Sequence, residues 1–115
     1  LPLTDKTERL INKKFFRRMS AGSFLINIGR GQHVSDKDVL EALDEGLIAG
    51  AMLDVFDPEP LSPQSPLWNH PNVIITPHVS GLTVPQAALD QIIENIKRME
   101  TGVAPHLTVD LNRGY

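Results

Sequence analysis

Phe24-Leu25-Ile26-Asn27-Ile28-Gly29-Arg30-Gly31 decides how the chain is read. Four large apolar side chains and one asparagine run up to a glycine, an arginine and a second glycine. A short apolar run bounded by glycines suits a strand buried on both faces, as in a parallel sheet. The arginine then stands at the strand's carboxyl end, where open α/β sheets bind their ligands. Its planar, permanently charged fork matches a carboxylate. Pairing with a local Asp to brace a loop is the plainer use of such a side chain. Gly29 and Gly31 favour the first use, because they let a ligand approach the backbone.

Downstream, Ser35 is a good helix cap with Asp36 and Asp38 in the first turn. That helix runs to about Glu45, buries Val39, Leu40 and Leu43, and closes at Gly46. A second buried strand covers 48–55, with Gly50 and Ala51 small enough to admit a neighbouring backbone or a ligand. Residues 57–71 carry Pro58, Pro60, Pro63, Pro66 and Pro71, which exclude an ordinary helix or central strand. A third strand covers 72–76. A last helix runs from Val84 to about Thr101, with Ala88, Ile92, Ile96 and Met99 on one face and Pro85 in its first turn.

Upstream, Leu10, Ile11, Phe15, Phe16 and Met19 recur at helical spacing over 7–19. Asn12 can interrupt that helix as the cap of a shorter one over 13–19. The alternation of helices and strands argues for an α/β fold with parallel strands. Three strands leave faces and edges in need of cover, so the chain reads as half of something larger.

Composition narrows the function classes. The 115 residues suffice for one small domain, and 41% hydrophobic with 22% charged residues fits a globular chain. Cysteine is absent, which removes disulfides, thiolate catalysis and Cys-based zinc sites and is compatible with a cytoplasmic home. No metal site is expected, since His-x-x-x-His spacing is lacking as well. A net charge of -3 with mixed signs gives no nucleic-acid footprint. No apolar run approaches the roughly 20 residues of a membrane helix.

The polar residues at the three strand ends are the candidates for chemistry. Arg30 follows the first strand, Asp54 ends the second with Glu59 just beyond, and His78 follows the third. A carboxylate on one imidazole nitrogen orients the ring and favours its protonated form, so Glu59 and His78 can deliver a proton near neutral pH. The plainer readings are a solvated loop carboxylate for Glu59 and a structural role for His78. Asp54 suits a carboxamide or a cap on nearby backbone. His33, His70 and His106 read as surface residues.

Several stretches then stand together in order: Leu1-Pro2-Leu3-Thr4, Asn27-x-x-Arg30-Gly31, Leu53-Asp54-Val55-Phe56-Asp57-x-Glu59-Pro60-Leu61 and Thr76-Pro77-His78. As a set they resemble the carboxyl-terminal part of the D-isomer-specific 2-hydroxyacid dehydrogenases. Gly50-Ala51-Met52-Leu53, Ser65-Pro66-Leu67-Trp68-x-His70-Pro71 and the closing Arg113-Gly114-Tyr115 resemble the bacterial glyoxylate/hydroxypyruvate reductase A branch.

The resemblance implies the second half of a Rossmann-like doubly wound parallel sheet over 1–82. It implies a last helix and tail over 83–115 that cross back toward a substrate domain. It implies reduction of a small 2-oxo acid by hydride from NADP or NAD in reduced form, with NADPH favoured. Arg30, Glu59 and His78 would be catalytic. Leu1, Ile28, Gly29, Arg30, Asp54 and His78 would meet the cofactor, and a homodimer would be the working state. The family's Gly-x-Gly-x-x-Gly fingerprint lies upstream of the Leu-Pro-Leu-Thr segment, where this chain begins. The expectation is therefore a fragment that is inactive alone. The alternative is a binding scaffold of the same fold without turnover, such as the corepressors that keep the same Arg, Glu and His.

Overall fold

The computed structural model describes residues 1–114, so Tyr115 of the closing Arg113-Gly114-Tyr115 stretch lies outside the described residues. The chain divides into two compact units, Leu1–Ser80 and Gly81–Tyr115. Among the described residues, no helix is long and apolar enough to cross a membrane.

The first unit holds one parallel sheet of three strands, β1 (Phe24–Asn27), β2 (Gly50–Leu53) and β3 (Val73–Ile75), in that spatial order. Helix α1 (Lys13–Phe16) precedes β1, and α2 (Asp36–Asp44) connects β1 to β2. Ser35 caps α2 by accepting from the Asp38 amide, with Asp36 and Asp38 in the first turn. Gly46, at φ +67°, ends the helix in a left-handed turn. There the Leu47 amide donates to the Ala42 carbonyl at 2.8 Å and the Gly46 amide to that of Leu43 at 3.1 Å. Residues 47 and 48 are thus spent on closing α2, and β2 is shorter than the apolar run over 48–55.

The expectation of one helix over 7–19 is corrected, and the shorter alternative capped by Asn12 is the one that forms, though it ends before 19. Only Lys13–Phe16 is α-helical, with Asn12 as its cap accepting from the Lys14 and Phe15 amides. Residues 9–11 instead lie beside 32–34, where the Arg9 amide donates to the Gln32 carbonyl and the Ile11 amide to that of His33. This extended pairing replaces the bonds a first helical turn would have made. Phe16 is fully buried, and Lys13 Nζ reaches Glu41 of α2 at 2.9 Å and also Glu45.

A strand buried on both faces is also corrected. Leu25, Ala51 and Leu53 face a core shared with Phe16, Val39, Ala42, Leu43 and Leu67. Phe24 (68% exposed), Ile26 (63%) and Ile74 (62%) stand on the other face, in register with Gly50 and Met52. The helices that pack on this sheet contribute their apolar stripes to one side of it. Gly50 is small because Phe24 lies over it: an added Cβ would come within 2.8 Å of that ring. The neighbouring Phe24 ring and the backbone carbonyl of Asn72, which that Cβ would meet at 3.2 Å, fill the space.

The second unit is built on α3 (Pro85–Glu100), with Pro85 in its first turn and Lys97 and Arg98 in its last. The tail folds back on it. The His106 amide donates to Asn95 Oδ1 at 2.7 Å, and Arg98 Nε donates to the Ala104 carbonyl at 2.8 Å. Ile92, Ile96 and Met99 form an exposed apolar stripe.

Candidate active site at the carboxyl edge of the sheet

All three strands end on the same edge, and each delivers polar residues there. After β1, Asn27 is buried and staples the next turn with both ends of its side chain. Its Nδ2 donates to the Arg30 carbonyl at 3.1 Å, and its Oδ1 accepts from the Gly29 amide at 3.2 Å. Arg30 is exposed, with its guanidinium donating to the Gly29 carbonyl at 2.8 Å. The two flanking glycines do not open the backbone to a ligand. A Cβ on Gly31 would fall 2.0 Å from the carbonyl carbon and oxygen of Phe56, and one on Gly29 would fall 3.3 Å from His33 Nδ1. Gly31 therefore lets the Arg30 turn close against the chain that leads to Glu59.

Glu59 follows β2 and is fixed at both oxygens. Its Oε1 accepts from the Phe56 amide at 2.9 Å, and its Oε2 lies 2.9 Å from His78 Nδ1. The His78 ring and the Phe56 amide, helped by the charge of Arg30, hold this carboxyl below its ordinary value. An ionised carboxylate only accepts, so Nδ1 of His78 carries the proton in this pair and Nε2 is the outward nitrogen.

His78 has left-handed backbone at φ +54°, a conformation that costs a residue with a Cβ about 1–2 kcal/mol. Its neighbours hold it there. The Asp54 carboxylate accepts from Thr76 Oγ1, from the Val79 amide at 3.0 Å and from the Ser80 amide at 3.0 Å. Asp54 is 0% exposed. Burial alone would push its carboxyl up, but the Thr76, Val79 and Ser80 donors outweigh it and hold the group well below the usual carboxylate range.

Glu59 and His78 line a cleft of about 590 Å³ with Phe56, Leu61, Trp68 and Ile75. The Trp68 indole is fixed by a 2.9 Å bond to the Ser62 carbonyl. Asp54 also lines this cleft, whereas Leu1, Ile28, Gly29 and Arg30 lie outside its lining. Arg30 is at the end of β1, and Ile28 and Leu1 are exposed. His33 was expected at the surface but is only 5% exposed. It sits under the Gly29 turn, with Nε2 3.4 Å from the Pro2 carbonyl, and so links the amino-terminal segment to that turn. His70 is likewise largely buried, 3.6 Å from Asp44. A histidine in a Gly-Gln-His-Val-Ser stretch carries no local mark of burial, because its cover includes Pro2, 31 positions away.

Residues 1–80 match the family described as D-isomer specific 2-hydroxyacid dehydrogenase, NAD binding domain. The chain belongs to that family.

The chain spans well under half the length of the curated relatives it matches. The glyoxylate/hydroxypyruvate reductase A of Serratia proteamaculans (strain 568) is 46% identical over all 115 residues, which span 37% of its length. The protein of that name from Yersinia enterocolitica is 44% identical over the same share. Among solved structures, the D-isomer specific 2-hydroxyacid dehydrogenase of Xanthobacter autotrophicus Py2, in complex with NADPH and MES, matches with a TM-score of 0.95 at 43% identity. It is covered over 48% of its chain, and this chain over 100%. The NADPH-dependent glyoxylate/hydroxypyruvate reductase of Sinorhizobium meliloti, in complex with NADP and sulfate, gives 0.93 at 40% identity and is covered over 38%. The three-stranded parallel sheet with flanking helices is thus a portion of the family's Rossmann-like NAD-binding domain.

Proposed function

We propose that this chain is the carboxyl-terminal part of a reductase that converts glyoxylate or hydroxypyruvate to the D-2-hydroxy acid with NADPH. The observation that carries the reading is the 2.9 Å pair of His78 Nδ1 with Glu59 Oε2 at the sheet's carboxyl edge, with the charge of Arg30 in electrostatic reach. The names of the relatives and the NADPH and NADP bound to two structural neighbours support the substrate class and the cofactor.

The cofactor fits this edge in part. Ile28 and Leu1 offer exposed apolar surface, and the Pro2 carbonyl next to Leu1 lies 3.4 Å from His33 Nε2. The reduced nicotinamide, when bound, supplies a hydride to the 2-carbonyl carbon. Arg30 binds the substrate carboxylate through its fork and draws electron density toward the carbonyl oxygen. Glu59 holds the His78 ring by Nδ1 and so aims Nε2–H of the imidazolium at the developing alkoxide, which it protonates. Hydride and proton together turn the oxo group into the hydroxyl, and His78 is left neutral.

In the same reading residues 1–82 complete the cofactor domain and residues 83–115 run toward the substrate domain. The enzyme works in the cytoplasm as a homodimer, and the isolated 115 residues are inactive. The boundary after Ser80 supports the division, and the exposed apolar stripe of α3 supports a partner surface.

The test is a protein of the relatives' length, in which this chain replaces the matching segment of the Serratia reductase. It should oxidise NADPH with either acid, one equivalent for each 2-hydroxy acid formed. A folded, NADPH-binding protein of this kind that turned over neither acid would overturn the reading in favour of a binding scaffold.

A further inference from the structure

His33 is a buried polar residue that belongs neither to the cleft nor to the hydrophobic core. Its ring stands between two stretches that are far apart in the chain. On one side, Nδ1 and Cε1 lie 3.3 and 3.6 Å from where a Cβ on Gly29 would stand. On the other, Nε2 lies 3.4 Å from the Pro2 carbonyl. A carbonyl only accepts, so Nε2 carries the hydrogen. The bond is long for its kind, and a second donor backs it: Thr7 Oγ1 donates to the same carbonyl at 2.7 Å. The Thr7 hydroxyl also accepts from the Thr4 amide at 2.8 Å, which holds Pro2 and Thr4 to one turn. The His33 backbone is fixed as well, its amide donating to the Arg30 carbonyl at 3.2 Å and its carbonyl accepting from the Ile11 amide at 3.1 Å. An apolar side chain would fill a buried position without a partner, whereas an imidazole needs one, and the Pro2 carbonyl supplies it. Among the described residues, this is the hydrogen bond that joins Leu1–Thr4 to the segment after β1.

We propose that His33 is a positioning residue for the nicotinamide cofactor: it ties Leu1–Thr4 to the Ile28–Arg30 turn, so that the two stretches present one wall to the ligand. The inference rests on the reductase reading, in which Leu1, Ile28 and Gly29 meet the cofactor. Leu1 and Ile28 are exposed and apolar, while Pro2 and Gly29 beside them are both held by the His33 ring. A segment left free beside a ligand must be ordered when the ligand binds, and that ordering is subtracted from affinity. A segment already held by His33 has little left to lose. Among the described residues, no hydrogen bond joins His33 to Glu59 or His78, and it stands outside their cleft. Its loss should therefore weaken cofactor binding and spare proton transfer. Glutamine and asparagine separate the two ring nitrogens. A glutamine amide can place its NH2 where Nε2 stands, while an asparagine amide stops near Nδ1 and falls short of Pro2.

The experiment uses the full-length protein described above, unsubstituted and as His33→Gln, His33→Asn and His33→Leu. NADPH is titrated by its fluorescence, kcat is measured with glyoxylate at saturating NADPH, and ¹⁵N-histidine labelling reads the His33 ring. In the unsubstituted protein Nε2 of His33 should carry a hydrogen. His33→Asn and His33→Leu should raise the Kd for NADPH by about fivefold, the worth of one hydrogen bond, with kcat held within about twofold. His33→Gln should bring the Kd back to within about twofold of the unsubstituted value. A histidine that served stability alone would lower the melting temperature on substitution and leave the Kd unmoved. The proposal is overturned if folded His33→Asn or His33→Leu binds NADPH as the unsubstituted protein does, if His33→Gln binds no better than His33→Asn, or if Nε2 is bare. Should none of the three fold, Thr7→Val decides, because it strips the same carbonyl of its other donor and should raise the Kd likewise. Cofactor titration needs no turnover, so a protein that binds NADPH through His33 yet reduces neither acid would overturn the reductase reading alone.

Discussion

An added Cβ on Gly31 would sit 2.0 Å from the carbonyl carbon and oxygen of Phe56. This contact closes the Arg30 turn against the segment that carries Glu59, and backbone atoms cannot yield as a flexible side chain can. Gly31→Ala should therefore destabilise the chain by about 1–3 kcal/mol or more, the range for forced overpacking. Urea denaturation would read this as a lower midpoint at unchanged slope. A wild-type midpoint would mean that the two segments separate freely.

Asn27 is the corresponding test for Arg30. Both ends of its buried amide are engaged on the Gly29–Arg30 turn. Asn27→Leu removes both bonds and leaves the Gly29 amide unpaired, while the Arg30 carbonyl keeps only the His33 amide at 3.2 Å, at a cost of about 1–3 kcal/mol. In the full-length protein KM for the oxo acid should rise more than kcat falls, because the group displaced is the one proposed to bind the carboxylate.

Arg30→Lys keeps the charge and loses the planar fork. Bidentate binding of a carboxylate does not survive that change. Steady-state kinetics should show kcat/KM for glyoxylate down by about tenfold or more, with NADPH affinity retained. Equal losses in both would place Arg30 on the cofactor instead.

The Glu59 carboxyl titrates below its ordinary value of 4.5, held there first by His78 and then by the Phe56 amide. As pH falls, the unfolded chain therefore takes up this proton before the native one does. The stabilisation is complete above 4.5 and is lost as pH drops through the lower native value. Thermal melts from about pH 6 down to about pH 3 should show Glu59→Gln starting less stable and losing less on acidification. Parallel curves would show that the pair contributes nothing to folding.

Much of this arrangement was legible from local signals. The apolar runs, the Ser35 cap and Gly46 marked three strands and the helix between the first two, and the polar residues after each run marked one edge. The Asn12 cap marks where the early helix starts, whereas the extended course of 9–11 is hidden because its pairing with 32–34 is a long-range event. Gly31 and His33 were misjudged for the same kind of reason. What fills the space beside Gly31 is Phe56, and what covers His33 includes Pro2; neither is written near them. The Glu59 and His78 pair was readable because proline-bounded chemistry at a strand end is a local pattern, whereas its anchoring by Asp54 is not.

The lopsided burial of the sheet gives each residue of β1 a different freedom to vary. A saturation scan of the isolated chain should trace a sawtooth: Leu25 and Asn27 intolerant, Phe24 and Ile26 permissive even to lysine. The same scan within a longer protein that covers the outer face would lose its teeth. The depth of the sawtooth is thus a gauge of how much of the sheet's surroundings a given polypeptide brings with it.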